Sequence, residues 1–161
     1  MHGQHLLSNE EFNVLECKNC KVTFTDVDVN SDFYNHYYPE NYYDKFRGNK
    51  LIKTLLDLLE KLSFKRKLRL ILRHKPEGNR VLEIGCAQGK FLNDLPSTFK
   101  KFGVEINANG RRYIQEHYPE ITVYQDGIES ENFSGCSVKY DIILMWHVLE
   151  HIKDPSAFLQ Q

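Results

Sequence analysis

Apolar positions recur along this chain with two different periods. Leu51, Leu55, Leu58, Leu59 and Leu62 fall at helical spacing, and Leu68, Ile71 and Leu72 continue it. The pattern predicts one long amphipathic helix over 49–74, or two with a break near Ser63, stopped by "KPEGN". After Gly78 the period changes. "RVLEIG", "FKKFGVEIN", "ITVYQD" and "YDIILMWH" read as short apolar strands. Between and after them, "KFLNDLPS", "ANGRRYIQEHYP" and "VLEHIKDPSAFLQQ" read as helices. Strands alternating with helices imply βαβ units and a parallel sheet. Right-handed crossovers then favour a doubly wound, Rossmann-like layout.

The first 48 residues follow neither period. "EEFNVLECKNCKVTFTDVDVN" gathers β-branched and aromatic residues around a C-x-x-C turn, which predicts a short hairpin. "SDFYNHYYPENYYDKFR" holds five tyrosines and two phenylalanines, a density that demands burial. Two regions result: an N-terminal cap over 1–48, and a helix plus α/β domain over 49–161. A doubly wound sheet of six strands needs more chain than this. The sequence stops where a fifth strand should begin, which predicts a C-terminally truncated domain.

Composition narrows the class without choosing a partner. The formal net charge of -1 gives no global argument for nucleic acid or for a membrane surface. No run of eighteen apolar residues exists, and "MHGQHLLSNEEF" is too polar for a signal peptide. Four cysteines are too few for a disulfide framework, so reduced thiols in the cytoplasm are expected. The run "FKRKLRLILRHK" reads as a solvated basic face, the membrane or nucleic-acid surface being its alternative.

The candidate chemistry lies where the strands end, because ligands of open α/β sheets bind beyond the carboxyl ends of the strands. The first strand runs into Gly85, Cys86, Ala87, Gln88 and Gly89, whose glycines permit close backbone approach. The loop lacks both G-x-G-x-x-G and G-K-[ST], so neither a pyrophosphate cradle nor a P-loop is present. Glu105 follows sixteen residues after Gly89, where a carboxylate can accept both ribose hydroxyls of a nucleoside. Asp126 ends the third strand and can accept from a base's exocyclic amine. Trp146 and His147 end the fourth and face the same crevice.

Together "VLEIGCAQGKFL", "GVEIN", "VYQDG" and "YDIILMWHVLEHIKDP" resemble class I S-adenosylmethionine-dependent methyltransferases, in the small-molecule branch whose fourth motif ends in "vlEH". The resemblance covers residues 78 to about 161. It implies that Gly85, Cys86, Ala87, Gln88 and Gly89 pack against the methionine part of S-adenosylmethionine, and that Glu83 orders the loop and helps neutralise the amino group. It implies that Glu105, with Ile106 beside it, holds the ribose, that Asp126, Gly127 and Ile128 frame the adenine, and that Trp146 lines the site. His147 would lie near the transferred methyl, as a general base or as a group that only packs on the cofactor. The family usually has a second glycine where Ala87 stands.

The acceptor so implied is a small molecule. A cofactor-holding module without catalysis and an RNA-modifying enzyme are the alternatives, the second needing basic patches beyond the one helix. "HVLEH" is not a zincin motif, since the glutamate is displaced from H-E-x-x-H. Cys17 and Cys20 have zinc-knuckle spacing, with His2 and His5 as possible further ligands; free thiols or a disulfide are the alternatives. Tyr37, Tyr38, Tyr42 and Tyr43 would close over the cofactor or pack the cap. An open edge on the fourth strand would favour self-association.

Overall fold

A computed structural model describes residues 2–4, 11–26, 50–74, 77–127, 134–152 and 154–160. The chain falls into two compact units, Met1–Lys45 and Phe46–Gln161. In the first, strands β1 (His2–Gln4), β2 (Glu11–Glu16) and β3 (Thr23–Thr25) form an antiparallel sheet in the order β1-β2-β3. The hairpin expected around the C-x-x-C turn is the β2–β3 pair, with Val14 opposite Thr25 and Glu16 opposite Thr23. The tyrosines at 37, 38, 42 and 43 lie outside the described residues, as do His5 and Ile128.

The second unit begins with helix α1 (Lys50–Arg73), which runs through Ser63 without a break. Strand β4 (Arg80–Ile84), helix α2 (Lys90–Asp94), strand β5 (Lys100–Val104), helix α3 (Ala108–His117), strand β6 (Thr122–Tyr124), strand β7 (Ile142–Met145) and helix α4 (Pro155–Phe158) follow. The four strands pair in parallel in the order β6-β5-β4-β7. The doubly wound layout read from the sequence is therefore present. Successive strands step outward from β4 to β6, and β7 then returns to the other side of β4. That reversal opens a crevice between β4 and β7 at their carboxyl ends.

Strand β4 is buried from Val81 to Ile84, as a central parallel strand should be. Side chains alternate across it. Val81 shares one core with Ile71 of α1, Leu92 of α2, Ile114 of α3 and Leu144 of β7. Leu82 and Ile84 point the other way, into a second core with Val104 and Phe158 of α4. Helices thus cover both faces of the sheet.

Two sequence expectations change. The last segment is not one helix: a 3₁₀ turn, Leu149–His151, precedes α4, which Asp154 caps by accepting from the Ala157 N–H at 3.0 Å. Pro155 stands at the first position of α4, so a helix cannot run unbroken through it. Helix α1 is also less amphipathic in effect than its leucines suggest. Phe64, Leu68 and Ile71 pack on the core, whereas Leu58, Leu59, Leu62 and Leu72 are exposed. The described core contacts of the helix come from Phe64 onward, which leaves Leu58, Leu59 and Leu62 without a core partner, and Leu72 next to Ile71 faces away from the core.

This contrast can be measured within one helix. Ile71→Ala should cost about 2–4 kcal/mol in urea unfolding, and Leu58→Ala less than about 0.5 kcal/mol. Equal losses at the two sites would contradict the placement of α1.

Candidate functional site

The crevice is built from loops at the carboxyl ends of β4, β5, β6 and β7. The loop after β4 turns through alternating left-handed residues: Gly85 and Gly89 at φ 71° and Ala87 at φ 51°. At Gly85 a Cβ would lie 2.6 Å from Cγ2 of Val148, and at Gly89 2.8 Å from Cγ1 of Ile114, so both positions need glycine for space as well as for φ. Ala87 takes a conformation that costs an L-residue about 1–2 kcal/mol. Two ties hold the loop to β5. Gly85 and Cys86 donate N–H bonds to the Val104 carbonyl at 2.8 and 3.1 Å. Ala87 donates to Oε2 of Glu105 at 2.7 Å.

Glu105 is buried, and its other oxygen accepts the Asn107 N–H at 2.8 Å. Burial pushes its carboxyl above the usual range, and these N–H donors together with the Arg111 guanidinium pull it partly back. Asn107 caps α3 by accepting from Asn109 and Gly110 N–H. Arg111 donates to the Glu105 and Ile106 carbonyls at 2.8 and 2.6 Å. Each Glu105 oxygen has taken one bond, and a carboxylate offers about four acceptor positions, so capacity for hydroxyl donors remains.

Glu83 lies on the Val81 face of β4, beneath α1, and is 5% exposed. Burial lifts its carboxyl to about 8, raised further by Glu105 and held down by Lys67. Among the described residues its Oε2 has no hydrogen-bond partner. Trp146, one residue past β7 on the same face, has a buried Nε1–H that is likewise unpartnered. An acceptor and a donor thus stand unused on neighbouring strands, beside the glycine loop. A buried pair left this way is costly unless a ligand completes it. An amino-acid end, with its ammonium and carboxylate, has the matching donor and acceptor.

The remaining predicted residues fall around this centre. Cys86 is buried, and burial beside Glu105 and Glu83 pushes its thiol far up, which suits packing and not nucleophilic work. Gln88, Asp126 and Gly127 are half-buried, and a Cβ on Gly127 would meet nothing within 4 Å. Ile106 is exposed. His147 has φ 57° and a side chain that is 89% exposed, with Nδ1 at 3.5 Å from Oε1 of Glu150. Val148, its neighbour, packs on Gly85, so His147 stands beside the glycine loop. His147 and His151 do not share an α-helical face, because the segment between them is a 3₁₀ turn.

Four contributors went unread in the sequence: Lys67, Phe91, Asn107 and Arg111. Lys67 places Nζ 4.5 Å from the Trp146 ring centroid and 5.5 Å from that of Phe91. Its signal was present in the register, since Phe64, Lys67, Leu68 and Ile71 lie on one helix face.

In the first unit, Cys17 and Cys20 flank a tight turn closed by the bonds Lys21 N–H to Cys17 O and Cys17 N–H to Val22 O, at 3.0 and 2.8 Å. Backbone N–H groups of Cys20 and Asn19 hold the Cys17 thiol below its usual range. His2 lies opposite Asn13 of β2, four residues before Cys17. Among the described residues no group of three or more His, Cys, Asp or Glu could hold a metal. None of the described helices is long and apolar enough to cross a membrane. A shallow groove lined by Phe99, Lys101, Glu120 and Thr122 lies at the amino ends of β5 and β6, away from the crevice.

A family model described as a methyltransferase domain matches residues 43–161. No curated protein sequence matches the chain. Among solved structures, the chain is similar to the plantazolicin methyltransferase BpumL in complex with a monoazolic desmethylPZN analog and SAH, at 22% identity and a TM-score of 0.50, covering 76% of this chain and 50% of that one. The complex of the same protein with a triazolic analog and SAH gives 21% identity and a TM-score of 0.51 over the same shares. At this identity the likeness is one of fold. The chain spans about half the length of these solved relatives.

The burial of Glu83 sets a pH dependence. Its folded value, about 8, lies above the ordinary 4.5, so folding favours the protonated form. The stability this represents is full below about pH 4.5 and is lost as pH rises through 8. Glu83→Gln should therefore match the parent chain near pH 4.5 and exceed its stability by roughly 1–3 kcal/mol at pH 8.5, since tenfold in proton affinity is worth about 1.4 kcal/mol. Thermal melts at both pH values check this. Equal stability at pH 8.5 would show that Glu83 is not desolvated.

Proposed function

The chain belongs to the methyltransferase-domain family, and on that premise we propose that it is the cofactor-binding part of an S-adenosylmethionine-dependent methyltransferase acting on a small-molecule acceptor. One observation carries the reading. The buried acceptor of Glu83 and donor of Trp146 stand unpartnered beside a left-handed glycine loop, at the strand ends where this fold binds its ligand. The pair fits the zwitterionic end of S-adenosylmethionine, and the spare acceptor positions of Glu105 fit ribose hydroxyls. Asp126 stands at the rim, where a base amine would reach it. The BpumL structures, in complex with SAH and desmethylPZN analogs, support both the cofactor and the acceptor class.

The cofactor, when bound, supplies a methyl group on a sulfonium that already leaves readily. The residues of this chain then have three tasks. The loop from Gly85 to Gly89 lets backbone approach the ligand. Glu83 and Glu105 fix its two ends, so that the methyl is aimed by position, which supplies much of the rate enhancement of such a displacement. His147, exposed beside the loop, would take a proton from an acceptor that must lose one.

Calorimetry with S-adenosylhomocysteine tests the site. Binding should be measurable, and Glu105→Gln should weaken it about tenfold to a hundredfold, the worth of a charge-assisted hydrogen bond. Tight binding of NAD with no response to S-adenosylhomocysteine would sink the reading.

The edge of β7 supports a second proposal. Among the described residues β7 pairs only with β4, and Ile143 on it is exposed. An uncovered strand edge favours association between copies. Sedimentation should show a concentration-dependent dimer that Ile143→Lys disperses; a clean monomer at high concentration argues against it.

A further inference from the structure

Lys67 belongs to α1, outside every motif that resembles the family, yet it reaches Trp146, one residue past the end of β7. Its Nζ lies 4.5 Å from the Trp146 ring centroid and 5.5 Å from that of Phe91, both within cation–π range. The two rings meet edge to face at 6.0 Å, and Phe64 of α1 packs on Phe91 at 5.4 Å. The ammonium therefore sits on an aromatic shelf formed by α2 and the end of β7. Beneath the same helix lies Glu83, 5% exposed with one oxygen unpartnered. A lone carboxylate in such a place normally takes up a proton and becomes neutral. A neutral carboxyl is a poor partner for an ammonium group.

We infer that Lys67 is a positioning residue, the counter-charge that lowers the cost of ionising the buried Glu83 carboxyl when the ammonium of the cofactor's amino-acid end arrives, and that α1 is thereby a working part of the site. The inference rests on the cofactor reading above. Three charged or titratable groups bear on Glu83. Lys67 on α1 draws its carboxyl down. Glu105 after β5 pushes it up. Cys86 in the loop stays a neutral thiol, since burial raises it. Lys67 is the one cation among them. Burial lowers the Lys67 ammonium below its usual range, and Glu83 offsets only part of that drop, as Lys67 offsets only part of the rise at Glu83.

Two measurements test this, one without ligand. In the cofactor-free chain, the Glu83 carboxyl followed by carbon NMR should titrate near 8 and move upward in Lys67→Met. Lys67→Arg, which keeps the charge and stacks well on tryptophan, should restore it. An unmoved midpoint in Lys67→Met overturns the inference. In calorimetry from pH 6 to 9, Lys67→Met should weaken S-adenosylhomocysteine about tenfold at neutral pH and shift the rise of affinity to higher pH. The loss should vanish in the Glu83→Gln background. It should also vanish with 5′-methylthioadenosine, which lacks the amino-acid end. An equal loss in the Glu83→Gln background overturns the inference, since Lys67 would then act on the ligand or the fold directly. If the parent chain binds neither compound, the cofactor reading itself fails and this inference with it. If the parent binds both and Lys67→Met changes nothing, only this inference fails.

Discussion

The crevice depends on one carboxylate. Glu105, buried at the end of β5, receives the Ala87 N–H on one oxygen and the Asn107 N–H on the other. The first bond holds the glycine loop in its strained left-handed path, and the second places the cap of α3. Desolvating a carboxylate is expensive, and these N–H donors with the nearby Arg111 guanidinium are what offset it. The loop after β4 and the helix after β5 are distant in sequence. They meet here because adjacent parallel strands deliver their ends to the same edge of the sheet, and the charge of Glu105 holds both.

Glu83 answers the same problem differently. It has no comparable set of backbone donors, and its Oε2 and the Trp146 Nε1–H remain unpartnered. The fold therefore carries a local cost in this corner, partly relieved by the ammonium of Lys67 on its aromatic shelf. Such costs persist where function needs them. Glu105 ties the loop to the cap of α3, and Glu83 leaves a buried oxygen unpartnered among the described residues. Glu83 lies on β4 and Glu105 just past the adjacent β5, yet only Glu105 is surrounded by backbone donors.

Much of the site was legible in the residues themselves. The short apolar strands after Gly78, the glycines at 85 and 89 and the acidic residue ending β5 are local signals, because strand burial, positive φ and strand-end position leave marks on neighbouring residues. The fourth-strand motif located Trp146 and His147 for the same reason. The last segment misled, because its apolar spacing suits a helix and conceals the break at Pro155. The leucines of α1 misled differently. Spacing describes which residues share a face, but not how far along the helix the sheet extends.

By itself, then, the sequence determined the alternation of strands and helices, the position of the loop and the family to which the chain belongs. These follow from backbone geometry and side-chain period, which act over a few residues. Tertiary structure decided the strand order β6-β5-β4-β7, the capture of the loop by Glu105 and the reach of Lys67 to Trp146 and the field of Glu83. Each of these joins residues that only packing brings together. Burial then sets their charges, since the free energy of a carboxylate depends on what surrounds it in space and not on its neighbours in the chain.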